Sequence, residues 1–169
     1  MTKTEPEAPE STRVFDELLA EVTTSAGTFG HREHVHLTWL AVHRVGMPAA
    51  IALISDGIQR TARYAGAPQK YHVTVSRAWV ELIAHHTTAH GQPDFAAFTE
   101  RHPALLDKRL LTRFYRSATL AGTQARTSWV EPDLAPFPWT APNQQRPQER
   151  KTTRFTSGPR QEPNARGEL

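Results

Sequence analysis

Apolar residues recur at helical spacing along most of this chain, and the runs they form are cut by glycine and proline. In RVFDELLAEV, Val14, Leu18, Leu19 and Val22 fall on one side, which predicts a helix over 13–22. A loop with two glycines follows over 25–30. The next periodic run predicts a helix over 31–45 that stops at Gly46. Pro48 then opens a third helix ending near Tyr64, at the first helical position, where its missing N–H costs nothing. Gly66 and Pro68 make another break. The spacing predicts a fourth helix over 70–87, a short one from Pro93 and Asp94 through Glu100, and one from Pro103 through Tyr115, with a last turn or two within 120–130. Pro132, Pro136 and Pro138 force WVEPDLAPFPW to be extended, packed across the helices. Strand-type alternation is nearly absent and no repeat is visible. The pattern predicts an all-α fold, a single compact bundle of five or six helices.

Length and charge refine the boundaries. The chain of 169 residues suits one domain with a modest core. Its net charge of +3 resides in the last 30 residues. Residues 140–169 hold six basic and three acidic side chains, which leaves fourteen of each sign in residues 1–139. That tail is rich in Pro, Gln, Arg and Thr and has too few apolar residues to fold, so 140–169 is expected to be a disordered basic tail and 1–11 a disordered lead, around a helical metal-binding domain over 12–139. With the basicity confined to the tail, no specific nucleic-acid interface is expected. No apolar run approaches a membrane span and the first residues lack a secretory pattern, so the expected location is the cytoplasm. The absence of cysteine excludes disulfides, thiolate metal sites and cysteine nucleophiles. Any metal must be held by nitrogen and oxygen.

The chemistry lies in the histidines, of which there are nine. At about 100° per residue, His31 sits amid an arc of Val35, Thr38, Trp39, Val42 and Val45, with His34 on its flank. His36 and His43 turn towards the side of Glu33 and Arg44. On the fourth helix His72 falls at the centre of the face formed by Val75, Trp79, Leu82 and Ile83, and His86 lies on that side near the helix end. Lys70, Thr74, Arg77, Glu81 and His85 share the opposite side, which makes Glu81 a surface partner of Arg77 or His85. A lone inward histidine is ordinarily a core residue bonded to a carbonyl. Three on two helices, with His31 and His34 three residues apart, suit one ion held by three imidazoles with positions left open for water or substrate. Imidazole ligation suits copper, iron or zinc without choosing among them.

The segments FGHREHVHLTWL, KYHVTVSRAW, LLDKRLLTRFY and WVEPDLAPFP resemble a group of small, largely unassigned actinobacterial proteins with the pattern F-x-H-R-x-H-x-x-L-x-W-L followed by K-Y-H-x-T. The resemblance spans about 29–138. Its histidines fall on His31, His34 and His72, and it implies a site there without naming a reaction. Val73 departs from it, standing where similar chains often carry an acidic residue.

Around those ligands, Asp133 and Arg113 are the candidate catalytic residues. Asp133 lies in an extended segment able to cross the cavity, and Arg113 belongs to a basic stretch able to grip an anionic substrate through its guanidinium. Glu131 and Asp107 are further carboxylates, the latter expected to pair with Lys108 or Arg109. Ser76 faces inward and is expected to bond back to its own helix. No phosphate-binding glycine loop, dinucleotide fingerprint or nucleophile elbow is present. The expected function is a metal-dependent enzyme acting on a small organic molecule, with oxidative chemistry slightly ahead of zinc-assisted hydrolysis or elimination. A non-catalytic metal- or ligand-binding bundle is the alternative from another class, and a metal-free enzyme using the histidines as acid and base is the third reading. The oligomeric state is not readable from the chain.

Overall fold

The computed structural model describes residues 9–26, 29–89 and 94–140; the expectations for 1–8 and for 141–169 lie outside them. Six α-helices follow in order: α1 (Glu10–Ala26), α2 (His31–Tyr64), α3 (Val73–Ala89), α4 (Phe95–Arg101), α5 (Ser117–Ala121) and α6 (Thr123–Thr127). Short 3₁₀ turns occupy Pro68–Lys70, Pro103–Leu106 and Leu110–Arg113. No strand occurs among the described residues, and the fold is all-α.

The break expected at Gly46 is the bend that shapes the molecule. Gly46 adopts φ 75° and ψ 163°, a backbone state that side chains disfavour, and divides α2 into arms over 31–45 and 47–64. Pro48 sits in the first turn of the second arm. Were α2 straight, His34 and Ile58 would stand about 36 Å apart at 1.5 Å per residue. They line the same cavity, so the arms fold back on one another. Contrary to the sequence expectation, α2 does contain an 18-residue window of mean hydropathy 1.5, long and apolar enough to cross a membrane, with 44% of that window buried inside the bundle.

Two apolar clusters meet along α2 and α3. The first joins α1 to both arms of α2 and to α3 through Phe15, Leu18, Leu37, Ala41, Leu53 and Val80. Gly57 permits this approach, because a Cβ there would lie 2.1 Å from the Phe15 ring. Ion pairs from Asp16 to Arg60 and from Glu17 to Arg44 tie α1 to each arm in turn. The second cluster joins Val35, Leu82 and Ile83 to Phe98, Leu105, Leu111, Tyr115 and Phe137. The proline-rich segment packs across the bundle as expected: Phe137 is buried, and the buried Tyr115 donates its hydroxyl to the Val130 carbonyl.

Three local expectations change. The helix expected over 103–115 is two 3₁₀ turns, because the Asp107 carboxylate accepts the Arg109 N–H and holds an extended residue between them. The polar face of α3 is covered in part: Thr74 is fully buried, donates to the Ser128 carbonyl and accepts from the Val130 N–H. Arg77 lies 4.2 Å from the Trp129 ring centroid while pairing with Glu81, as expected of Glu81. His36 is half-buried and stacks on Phe95, ring centroids 4.0 Å apart. His43 is exposed, as its arc implied, and donates from Nδ1 to the Trp39 carbonyl.

Two substitutions test this packing by chemical denaturation. Gly57→Ala forces a methyl into Phe15 and should cost about 1–3 kcal/mol, part of which returns when Phe15 is also shortened to leucine. His36→Ala should cost about 1 kcal/mol through the lost ring stack, whereas His43→Ala should stay within about 0.5 kcal/mol.

Candidate functional site

His31, His34 and His72 all line one cavity of about 420 Å³. The first arm of α2 contributes His31, His34, Val35 and Thr38, and the second arm Ile54 and Ile58. Lys70, Tyr71 and His72 come from the linker, and Val75, Ser76, Trp79 and Ile83 from α3. Apolar walls surround a small polar set, the usual constitution of a small-molecule pocket.

Each imidazole is anchored to a different main-chain carbonyl. His31 Nε2 donates to Leu105 O at 3.0 Å, and its ring meets Trp79 edge-on with centroids 4.7 Å apart. His34 Nδ1 donates to Gly30 O at 2.9 Å, one turn back on its own helix. His72 Nε2 donates to Leu120 O at 2.8 Å. A carbonyl only accepts, so each contact places the proton: on Nε2 of His31 and His72, on Nδ1 of His34.

His72 is not within a helix as the periodicity implied. The chain stays extended through Tyr71, α3 starts at Val73, and His72 precedes it as a cap, its Nδ1 accepting the Val75 N–H at 3.3 Å. Both of its nitrogens are therefore engaged. The open lone pairs of the neutral rings are Nδ1 of His31 and Nε2 of His34. Among the described residues no three histidine, aspartate or glutamate side chains are grouped as a metal site.

His34 differs from its flank assignment in being exposed at the cavity margin. It packs against Phe29, ring centroids 4.3 Å apart. Desolvation by the surrounding protein holds its pKa below the ordinary histidine value, opposed by its bond to Gly30. Gly30 is pinned from both ends, since its N–H donates to the Glu33 carboxylate at 2.8 Å. That bond is also the main reason the Glu33 carboxyl titrates below its usual range.

The other candidates separate from the histidines. Asp133 is exposed and does not line the cavity; its carboxylate accepts the Arg116 N–H and the Thr119 hydroxyl at the start of α5, and the Thr119 bond chiefly lowers its pKa. Arg113 lines a different cavity. Glu131 accepts the Trp129 indole N–H, and His86 also borders the cavity of Arg113. Ser76 does not bond back to its helix: among the described residues neither its hydroxyl nor that of Thr38 has a hydrogen-bond partner, and both line the histidine cavity. Thr38 lay on the apolar arc of the sequence pattern, and a hydroxyl amid apolar residues was the signal it carried.

Long-range ¹H–¹⁵N correlation spectra should show His34 in the Nδ1–H tautomer and His31 and His72 in the Nε2–H form. His34 should titrate below pH 6.5. A depressed folded-state pKa means the unfolded chain binds the proton more readily, so the His34 contribution to stability is full above about pH 6.5. It is lost as pH falls through the folded value. Burial shifts His36 in the same direction. The melting temperature should thus fall on acidification below pH 6.5, less steeply in His34→Gln. No protein-family model, curated protein or solved structure matches this chain.

Proposed function

We propose that the histidine cavity receives a small organic molecule and that His31 and His34 act on it as neutral imidazoles, accepting or withdrawing a proton. The observation that carries this reading is the anchoring of each ring to its own carbonyl, which leaves one unbonded nitrogen on each of two rings that line one cavity. A positioned imidazole held below the ordinary histidine pKa, as desolvation holds His34, is suited to general-base work at pH 7. The Thr38 and Ser76 hydroxyls supply donors for the oxygen or nitrogen of a ligand, and the isoleucines of the second arm take its apolar body. An anionic group on the ligand is met by Lys70, which lines the cavity and is exposed. Arg113 and Asp133 have no part in this pocket.

The second reading is a transition ion, copper, iron or zinc, on His31 and His34, supported by an unbonded nitrogen on each of two rings that line the same cavity. It would supply the oxidative, hydrolytic or lyase chemistry expected from the sequence. For His72 to join, its ring must surrender either the α3 cap or the Leu120 bond, a cost of about 1–3 kcal/mol. That cost ranks the metal reading second.

Elemental analysis of the dialysed full chain, followed by ¹⁵N titration with phenols, aliphatic acids and amides, distinguishes the two. Metal-free protein whose His34 Nε2 and Trp79 indole signals shift with one ligand class supports the acid–base pocket, and His34→Ala should weaken that binding by about tenfold. A stoichiometric ion that survives dialysis and is lost in both His31→Ala and His34→Ala would establish the metal centre instead. No shift with any class would remove the pocket reading.

A further inference from the structure

A second cavity, of about 460 Å³, is bounded by α3, the end of α4 and the two 3₁₀ turns that follow. Its floor includes Leu82 and Leu105, and both are buried. Four cationic or potentially cationic side chains surround it: Arg101, Arg113, His86 and His102. The two imidazole rings are paired across α3 and α4, centroids 4.6 Å apart. The two arginines come from separate elements, the last residue of α4 and the last of the second 3₁₀ turn, and only the fold brings them to one rim.

Among the described residues, no ion pair engages the two arginines of this rim. From Arg101 to Arg116 the chain has five basic residues and one acid, Asp107, whose carboxylate is already bonded to the Arg109 N–H. This is a local excess on a body whose first 139 residues carry equal numbers of each sign. Guanidinium forks match tetrahedral and planar oxyanions, and two of them beside an apolar floor fit a doubly charged head on an apolar body. A phosphate monoester has that form, with about −1.5 to −2 charges at pH 7 and three acceptor oxygens.

We infer that this cavity binds an organic phosphate monoester, with Arg101 and Arg113 clamping the phosphate and Leu82 and Leu105 receiving the organic group. The site is separate from the histidine cavity and does not depend on its reading. Its walls include Leu105, whose carbonyl anchors His31, so one 3₁₀ turn lines this cavity and orients a ring of the other.

Titration calorimetry of the full chain with phenyl phosphate, benzoate, phenol and inorganic phosphate tests the inference. Phenyl phosphate should bind about tenfold or more tightly than each of the other three, since only it satisfies both halves of the site. Arg101→Gln and Arg113→Gln should each weaken it about fivefold or more, with melting temperatures unchanged because both side chains are exposed. Arg113→Lys should fall between, keeping charge without the fork. Lys108→Gln, an exposed cation outside the cavity lining, and His34→Ala should leave binding as it is. Absence of saturable binding, equal binding of phenol, or a loss in Lys108→Gln as large as in the arginine variants would overturn the assignment.

Discussion

The bend at Gly46 is the constraint on which the rest of the molecule depends. A 34-residue helix with no break would be a rod, with no cavity between its ends and no common surface for α1 to cover. A positive φ at a single glycine folds it into two arms, and the two imidazoles that keep an unbonded nitrogen sit on the first. The second arm contributes apolar walls, Ile54 and Ile58, to the pocket in which His31 and His34 come from the first arm and His72 from the linker. The ion pairs from adjacent residues of α1, Asp16 and Glu17, to Arg60 and Arg44 span the bend, but they are largely exposed and add little energy. The Phe15–Gly57 contact and the apolar cluster around it hold the arms together.

The histidines illustrate how tertiary partners decide what an imidazole can do. His31, His34 and His72 share a cavity, and helical spacing alone turns all three towards the core. Their hydrogen bonds make them unequal. His72 spends both nitrogens on holding structure together, one on the start of α3 and one on the Leu120 carbonyl. His31 and His34 spend one each and keep one. A buried ring N–H bonded to a carbonyl is what a structural histidine looks like, and the same bond also orients a functional one. Here the difference between the roles is the remaining nitrogen.

The segment after α6 has a similar double character. Proline makes it extended, yet it is no mere connector. Through Val130, Phe137 and Trp129 it closes over Tyr115, Thr74 and Arg77, so that one side of α3 expected to meet water is partly covered by protein. Asp133, which the sequence offered as a catalytic carboxylate, instead ties the segment back to the start of α5 through Arg116 and Thr119.

The helical class, the break at Gly46 and the extended proline segment were legible in the sequence, because each follows from local periodicity or backbone restriction. The continuous helix expected over 103–115 was not, because Asp107 bonds a neighbouring N–H in competition with the helix. Nor was the capping role of His72. A helical wheel assumes the helix has already begun, whereas the chain is still extended at Tyr71. Of the three-histidine reading, the structure shows a shared cavity, with each ring on its own carbonyl. His36 read as solvated because nothing in its own helix reveals that Phe95, nearly sixty residues later, stacks on it. Arg101 and Arg113 read as a solvated face until the two 3₁₀ turns brought them to one rim. Periodicity along a chain says which residues can share a face of one helix. Which carbonyl each ring meets, and which nitrogen it leaves open, depends on elements distant in sequence, and only the folded arrangement decides that.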